Sequence, residues 1–194
     1  MLIDSLKLLI TAMAPFREDE LEMVSACFEE NHFPQKSLII SEGKKSASLH
    51  FIVSGLVRNY HLKDGKEVTT YLACDGGIAA SYSSFITQGI SPENIQCLED
   101  TDTLSISYEK MNWLYKQLAQ WQVIGRILAE QQYLCMADRI LKLHATPAKE
   151  KYLAFLESQP AKIVQQTPLN YVASFLGIAP ESLSRIRRNI SGQN

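Results

Sequence analysis

Residues 169–188 constrain the fold of this chain more tightly than any other segment of the sequence. Val172 and Leu176 lie four positions apart, which places both side chains on one apolar face of a first short helix. Gly177 suits the left-handed conformation with which many helices end, and Pro180 suits the first turn of a second helix, where its missing N–H costs nothing. The sequence therefore predicts two short helices joined by a tight turn.

The second of these helices has one apolar and one polar face. Leu183, Ile186 and Ile190 recur at spacings of three and four residues, so we expect them to pack against the first helix. The face that they leave outside carries Glu181, Ser182, Arg185, Arg188 and Asn189. These side chains can hydrogen-bond base edges and phosphates, as in a DNA-reading helix-turn-helix. Any short amphipathic helix pair would show similar apolar spacing, but the fixed offsets of Ala173 and Gly177 make this match more specific.

The charge of the chain is divided unevenly along its length. Residues 1–120 carry ten Lys and Arg against sixteen Asp and Glu, a balance of −6, within a formal net charge of −2. Residues 161–194 carry four basic residues against Glu181 alone, a balance of +3. The basic charge that phosphate contact requires is thus confined to the segment with the two helices. Because +3 is small, we expect a dimer that presents two such surfaces.

Composition and cysteine usage are typical of a globular protein. The 194 residues, 46% hydrophobic and 21% charged, suit one large or two small domains with a sizeable core. Residues 1–10 are apolar but interrupted by Asp4 and Lys7, so they predict an amphipathic helix rather than a signal peptide or membrane segment. The four cysteines are scattered without a C-x-x-C pair, which favours reduced, buried thiols in a cytoplasmic protein and no metal site.

Residues 36–108 have the pattern of an antiparallel barrel or jelly roll. Glycines recur at Gly43, Gly55, Gly65 and Gly76, and Asp64-Gly65 is a strong hairpin turn. The intervening runs are rich in β-branched and aromatic residues and predict strands at 37–40, 49–53, 56–62, 68–72 and 103–107. Residues 17–30 predict a helix that lies against this barrel.

Residues 121–144 predict one long helix that ends before Pro147. The side chains that approximate a coiled-coil seam are Ile124, Ile127, Leu128, Gln131, Leu134 and Cys135. We expect this seam to pair with a second copy of the chain; the alternative is that it packs on the barrel of its own chain. A shorter helix at 148–158 and a link at 159–168 follow. The predicted domains are therefore 1–118, a dimerisation helix at 119–145, and 146–194.

The order of these parts resembles the Crp/Fnr family of bacterial transcription regulators. Its most specific pieces are residues 53–58, the Asp64-Gly65 turn and residues 172–186. The resemblance implies an α+β fold with an N-terminal antiparallel β-roll or jelly roll of the cyclic-nucleotide-binding type and flanking helices. A long dimerisation helix and an all-α helix-turn-helix domain would follow the roll.

The resemblance also implies roles for the C-terminal residues. The second helix would enter a major groove, where Glu181 would accept a hydrogen bond from cytosine and Arg185 would contact guanine O6 and N7. Ser182 and Ser184 would help to hold the DNA backbone. Because the sequence leaves no room for a β-hairpin wing after Ser191, we expect the phosphate contacts to come from Arg187, Arg188 and Asn170. Several family members have arginine where this chain has Pro180, so their half-site preference should not be transferred intact.

The predicted effector pocket departs from that of nucleotide-binding members, which use a Gly-Glu segment and a following arginine. Between Glu67 and Glu109 this chain has no lysine or arginine, so we do not expect it to bind cyclic AMP. Arg58 or Arg126 could reach inward, but a surface position explains each more simply. The candidate pocket residues are Ile78, Ala79, Ala80, Ser81, Tyr82 and Arg126. They would line a pocket for a small neutral or weakly polar molecule, or the barrel would be filled by its own side chains.

No cofactor is evident from the sequence. Scattered cysteines do not suit an iron–sulfur cluster. Haem stays open because His32, His50, His61 and His144 exist, although a lone histidine on a strand is more often structural. There is no nucleophile–base pair or phosphate loop, and the acidic residues at 99–102 are typical of a solvated turn, so we do not expect an enzyme.

Two function classes follow. The first is a cytoplasmic, homodimeric regulator that binds a palindromic site in double-stranded DNA, with RNA polymerase as a candidate further partner and no membrane association. The second is a non-DNA binding module whose β-roll binds a small molecule or a protein.

Overall fold

A computed structural model describes residues 2–191, apart from the side chains of residues 142–145 and 191. Two helices, α1 (Leu2–Met13) and α2 (Glu18–Ser25), precede the strands. The strands are β1 (Glu29–Phe33), β2 (Leu38–Ile40), β3 (Ser48–Ser54), β4 (Leu56–Lys63), β5 (Lys66–Cys74), β6 (Ile78–Ala79), β7 (Asn94–Cys97) and β8 (Thr101–Ser107), with α3 (Tyr82–Thr87) between β6 and β7. The later helices are α4 (Tyr108–Gln117), α5 (Ala119–Ala145), α6 (Ala148–Ser158), α7 (Ala161–Gln166), α8 (Leu169–Leu176) and α9 (Pro180–Ser191).

The strands form two antiparallel sheets, in the orders β1-β8-β3-β6 and β2-β7-β4-β5, that close into a β-roll. Ile52, Val57 and Ile95 are fully buried between the sheets. The connection from β3 to β4 turns at Gly55, whose φ of 139° suits glycine and whose hydrogen faces Thr101 so closely that a Cβ would collide with it. The α+β architecture expected from the sequence is confirmed.

Helices cover one face of the roll. Leu6 and Ile10 of α1, Val24 of α2, and Trp121 and Ile124 of α5 belong to one buried cluster with the strands. The helix predicted at 17–30 is wrong in its second half, because residues 29–33 pair along their whole length with β8. Hydrogen bonding to a distant strand overrode the local helical pattern there.

The C-terminal helices differ from the prediction in one place. The link expected at 159–168 contains α7, whose Ile163 is buried among Tyr152, Phe155 and Val172. This apolar cluster is continuous with Leu56 and Leu72 on the outer face of the roll. The C-terminal helical unit, α6 to α9, therefore packs directly on the sheet.

The thiols of Cys27, Cys74 and Cys97 are buried and unbridged, as expected, but Cys135 is exposed on α5, so the prediction of burial is wrong for that residue. Within the described residues no helix is long and apolar enough to cross a membrane. The same part of the chain contains no group of three or more His, Cys, Asp and Glu side chains placed to hold a metal ion.

Candidate functional site

The helix-turn-helix at the C-terminus is built by local signals. Gly177 adopts φ 62° and ends α8, and the N–H of Ile178 donates to the carbonyl of Ala173 at 2.9 Å. Leu183 of α9 is buried against Val172 and Ala173 of α8. The turn and this apolar contact fix the second helix across the first.

The face of α9 opposite these contacts is open to solvent. At helical spacing, Glu181, Arg185 and Arg188 stand on the side opposite Leu183 and Ile190. The residues of the predicted reading surface that are exposed are Glu181, Ser184, Arg185, Arg187, Arg188, Asn189 and, at the start of α8, Asn170; Ser182 is half-buried. The structure thus brings the α9 members onto one exposed helix, with Arg187 nearest its apolar side.

The helix-turn-helix is docked on the edge strand β5 through α8. The N–H of Thr69 donates to Ser174 Oγ at 2.9 Å, and that hydroxyl donates to the carbonyl of Glu67 at 3.3 Å. An edge strand presents unpaired backbone groups, so one side chain of α8 substitutes here for a further strand. The helix-turn-helix is thereby held at a fixed place on the roll.

Arg58 lies beneath α8 and anchors this contact. Its side chain is 1% exposed, it forms an ion pair with Glu67, and its Nε and Nη2 donate to Gln96 Oε1 at 3.0 and 2.7 Å. The guanidinium is sandwiched between the rings of Tyr60 and Tyr171, at 4.2 and 3.6 Å from their centroids. The surface position predicted for Arg58 is therefore wrong, because α8 covers the outer face of β4 and nothing near Arg58 in the sequence signals that cover.

Two further contacts join the helical unit to the roll. Lys162 of α7 forms ion pairs with Asp75, at 2.8 Å, and with Glu99. Burial acts to raise the pKa of Asp75, but the hydrogen bonds from Lys162 and the Gly55 N–H outweigh it and lower that pKa. Arg139 of α5 donates from Nη2 to the Thr69 carbonyl at 3.1 Å and lies 4.4 Å from the ring centroid of Phe175.

A cavity of about 640 Å³ lies between the roll and α5. Ile78, Ala80 and Tyr82 line it, as the sequence predicted, whereas Ala79 and Ser81 are buried beside it without lining it. Arg126 does not line it: its side chain is 61% exposed and pairs with Glu130 at 2.8 Å, so its place in the predicted pocket is wrong. Arg126 pairs with Glu130 because side chains four residues apart are neighbours on the surface of a helix.

The sequence did not identify the polar groups of this cavity. Asn59 from β4, Thr70 from β5 and Glu93 before β7 meet at its wall, where the Asn59 amide and the Thr70 hydroxyl both donate to Glu93 Oε2 at 3.2 and 3.3 Å. Strand pairing brings them together: Asn59 stands opposite Tyr71 on one side and Ile95 on the other. In the sequence, this polar site is signalled only by Asn59, a hydrogen-bonding residue at an inward-facing position of β4.

The predicted dimer seam divides along α5. Ile124 is buried within its own protomer and Leu128 packs on the same cluster, so the seam prediction is wrong for Ile124, whose side chain a partner cannot reach. Gln131, Leu134 and Cys135 are exposed and Ile127 is half-buried. The large apolar side chains exposed on the second half of α5 are Tyr133, Leu134, Met136, Ile140 and Leu141.

The three histidines whose side chains the structure describes do not form a ligand set. His50 is buried, contacts Thr103 Oγ1 at 3.1 Å, and has its pKa lowered to about 4 by burial. His32 pairs with Asp102 at 2.8 Å, and His61 is half-buried on β4. The side chain of His144 lies outside the described residues, as do residues 192–194, where the absence of a wing was expected.

Residues 30–118 match the sequence model of the cyclic nucleotide-binding domain. No curated protein matches the chain. Solved structures with the same fold include the three that follow. FixK2 from Bradyrhizobium japonicum has a TM-score of 0.72 at 17% identity and covers 86% of this chain and 85% of its own.

The catabolite activator protein of Thermus thermophilus has a TM-score of 0.58 at 21% identity, covering 95% of this chain and 87% of its own. A transcriptional regulator of the Crp/Fnr family from Eubacterium rectale has a TM-score of 0.69 at 20% identity, covering 92% and 85%. Residues 30–118 thus match the cyclic nucleotide-binding domain, and the chain has the fold of the Crp/Fnr transcription regulators.

Proposed function

We propose that this chain is a sequence-specific DNA-binding transcription regulator of the Crp/Fnr type, without catalytic activity, that acts as a homodimer. The observation that carries the proposal is the exposed polar face of α9. It belongs to a helix-turn-helix whose apolar side chains Val172, Leu176 and Leu183 are buried in one cluster. A helix of this kind fits the major groove, whose base edges it can read.

On this proposal the side chains of α9 divide into two groups. Glu181 and Arg185 stand one turn apart at the N-terminal end of the exposed face, where a recognition helix contacts bases. Arg187 and Arg188 lie farther along and contact phosphates, together with Asn170 at the start of α8. Phosphate contacts position the protein, whereas base contacts specify the site.

Pairing of two α5 helices would form the dimer. Ile127, Leu134 and Leu141 recur every seven residues, which is the spacing of a coiled-coil seam. The large apolar side chains exposed on α5 need a cover, and a second copy of the same helix supplies one of matching shape. Residues 119–145 would then join an N-terminal sensor at 1–118 to a reading domain at 146–194.

Dimerisation can be tested with Leu134→Asp, because Leu134 is 64% exposed and belongs to none of the buried clusters of the protomer. We expect a monomer by sedimentation equilibrium and the loss of palindrome binding, with the fold retained by circular dichroism. Arg126→Asp, on the same helix but away from the seam, is the control. A dimer that survives Leu134→Asp would place the interface elsewhere.

The cavity beside α5 is the proposed effector site, and cyclic AMP is not its ligand. Among the described residues that line it, Arg139 is the only lysine or arginine; its Nη2 donates to the Thr69 carbonyl, its Nη1 has no hydrogen-bond partner, and its guanidinium lies 4.4 Å from the ring centroid of Phe175. The Glu93 carboxylate lines the same cavity, so a buried phosphate would meet a like charge there as well as this one cation. The effector would act through α5 and the contact of Arg58 with α8.

DNA reading is tested by selecting bound sequences from a random DNA pool with the purified, ligand-free protein. The affinity for the most enriched sequence is then measured at increasing salt concentration. We expect a palindrome with half-sites about ten base pairs apart. Arg185→Ala should cost about 1–3 kcal/mol and relax specificity at one base pair, whereas Arg188→Ala should weaken all sequences and lower the salt slope by about one. Equal effects of both changes on every sequence would contradict these roles.

The control for both variants is Arg126→Ala, which removes an exposed arginine distant from α9. No enrichment from the pool, with only weak salt-sensitive binding that the Arg185 variant retains, would favour the non-DNA binding module.

A further inference from the structure

One stretch of the wall of the 640 Å³ cavity presents two oxygen acceptors, the Glu93 carboxylate and Asn59 Oδ1. Glu93 Oε2 receives hydrogen bonds from Asn59 and Thr70, which hold the carboxylate at the cavity wall. The pairing of β4 with β5 shifts register between Asn59 and Tyr60, and this irregularity lets Thr70 and Tyr71 both line the cavity. This stretch of the wall therefore presents a carboxylate that is held in place by two hydrogen bonds.

Asn59 leaves one acceptor on this wall unused. Its side-chain amide is 4% exposed, and its Nδ2 faces two acceptors, Glu93 Oε2 at 3.2 Å and the Ala80 carbonyl at 3.4 Å. Exchanging the amide nitrogen and oxygen would set oxygen against two oxygens, so the assignment is firm. Among the described residues Asn59 Oδ1 then has no hydrogen-bond partner, although buried polar atoms normally have one.

The remaining wall is apolar and aromatic. Tyr82, Phe85, Tyr108 and Tyr115 line the cavity, with Met111 and Leu128. Aromatic faces attract cations as well as apolar groups. A volume of several hundred Å³ is in the range that small organic ligands occupy.

Among the described lining residues the one cation is Arg139, which is shared with a neighbouring cavity of about 400 Å³ beside α6. Its guanidinium contacts the Phe175 ring of α8 and the Thr69 carbonyl of β5, and its Nη1 has no hydrogen-bond partner. Asn59 and Glu93 line the larger cavity and not that neighbour. The Glu93 carboxylate and Asn59 Oδ1 are therefore acceptors that the larger of these two cavities has and the smaller lacks.

We propose that this cavity binds a small organic amine, with its ammonium group between the Glu93 carboxylate and Asn59 Oδ1 and its apolar part among the tyrosines. This specifies the effector class of the regulator proposed above, and rests on the sensor role given there to the cavity. The ammonium would satisfy the unused Asn59 oxygen and neutralise Glu93 in one contact. An anion of equal size would meet Glu93 as a like charge.

The test is isothermal titration calorimetry of the full chain at pH 7 with phenethylamine, 3-phenylpropionate and cyclic AMP. The first two probes match in shape and differ in charge. We expect phenethylamine to bind, 3-phenylpropionate to bind at least about tenfold more weakly, and cyclic AMP not to bind. Glu93→Gln should weaken phenethylamine at least about tenfold, because a carboxylate–ammonium contact becomes a neutral one.

Glu42→Gln is the matched control, since Glu42 is an exposed carboxylate that accepts from Asn94 and does not line the cavity. Glu93→Asp keeps the charge and should restore part of the affinity; it also serves if Glu93→Gln fails to fold. The proposal is overturned if the anion or cyclic AMP binds more tightly than the amine. It is also overturned if the Glu93 variants bind the amine unchanged, or if no probe binds up to about 10 mM.

Calorimetry needs no DNA, so its outcome is separate from that of the DNA selection. Amine binding, with no DNA site selected either with or without phenethylamine present, would retain this inference and overturn the regulator. A selected palindrome without amine binding would overturn this inference and retain the regulator.

Discussion

Arg58 and Asn59 are neighbours on β4, yet their side chains lie on opposite faces of the sheet and in opposite surroundings. Arg58 faces outward, where Glu67, Gln96 and two tyrosine rings surround it beneath α8. Asn59 faces the cavity, where its oxygen finds no partner among the described residues. The outer face of β4 is occupied by a contact between parts of the chain, whereas the inner face leaves room for a ligand. Strand β4 therefore contacts the C-terminal helical unit on one face and the cavity on the other.

The largest expected effect comes from removing the outer contact. Arg58→Met keeps much of the side-chain volume but leaves Gln96 and Glu67 without their donor, so we expect the free energy of unfolding to fall by about 3 kcal/mol. The measurement is urea denaturation. Arg126→Met, which removes an exposed pair, should change it by less than about 0.5 kcal/mol. Equal stability of the two variants would show that the Arg58 contact does not hold α8 on the roll.

An intermediate effect comes from acid, through a buried group on the facing sheet. Burial lowers the pKa of His50 to about 4, below its ordinary value near 6.5. The unfolded chain therefore binds a proton at higher pH than the folded one, so this contribution to stability is complete above pH 6.5 and is lost as the pH falls toward 4.

Between pH 7 and pH 5 we expect His50 to reduce the free energy of unfolding by about 2 kcal/mol. The measurement is urea denaturation at both pH values, on the protein and on His50→Gln, which should remove this part of the pH dependence. The same loss in the variant would mean that other groups cause it.

The smallest effect is expected on the inner face. Asn59→Leu removes the unpartnered oxygen together with one of the two donors to Glu93, which also bonds Thr70. We expect the free energy of unfolding to change by less than about 1 kcal/mol, because the lost hydrogen bond is offset by the removal of an unsatisfied polar atom. A loss as large as that of Arg58→Met would show that the two faces do not differ as argued.

Several predictions that depended on local patterns were accurate. Gly177 and Pro180 marked the end of α8 and the start of α9, and the helix predicted at 148–158 coincides with α6. Ile78, Ala80 and Tyr82 were placed in a pocket from one continuous run of residues, and they line the cavity. Each of these features is specified within about one helical turn or one strand.

The residues that sequence reasoning missed come together only through pairing of distant segments. Glu93 and Asn59 meet because β7 pairs with β4, and neither residue has a neighbour in sequence that announces a site. The periodicity of α5 places Ile124 in a dimer seam, but Ile124 is buried in its own protomer, because α1 and the roll pack against it. Periodicity predicts that a face is buried and does not identify what buries it.

The sequence by itself determined the helix-turn-helix, the run of strands and the long helix, since dihedral preference and hydrophobic spacing act over a few residues. The tertiary structure alone decided that Arg58 is buried, that α8 completes the edge of β5, and that Asn59 and Glu93 share a cavity wall. Those outcomes depend on which surfaces meet, and burial, charge pairing and hydrogen bonding across such contacts are set by segments far apart in the chain.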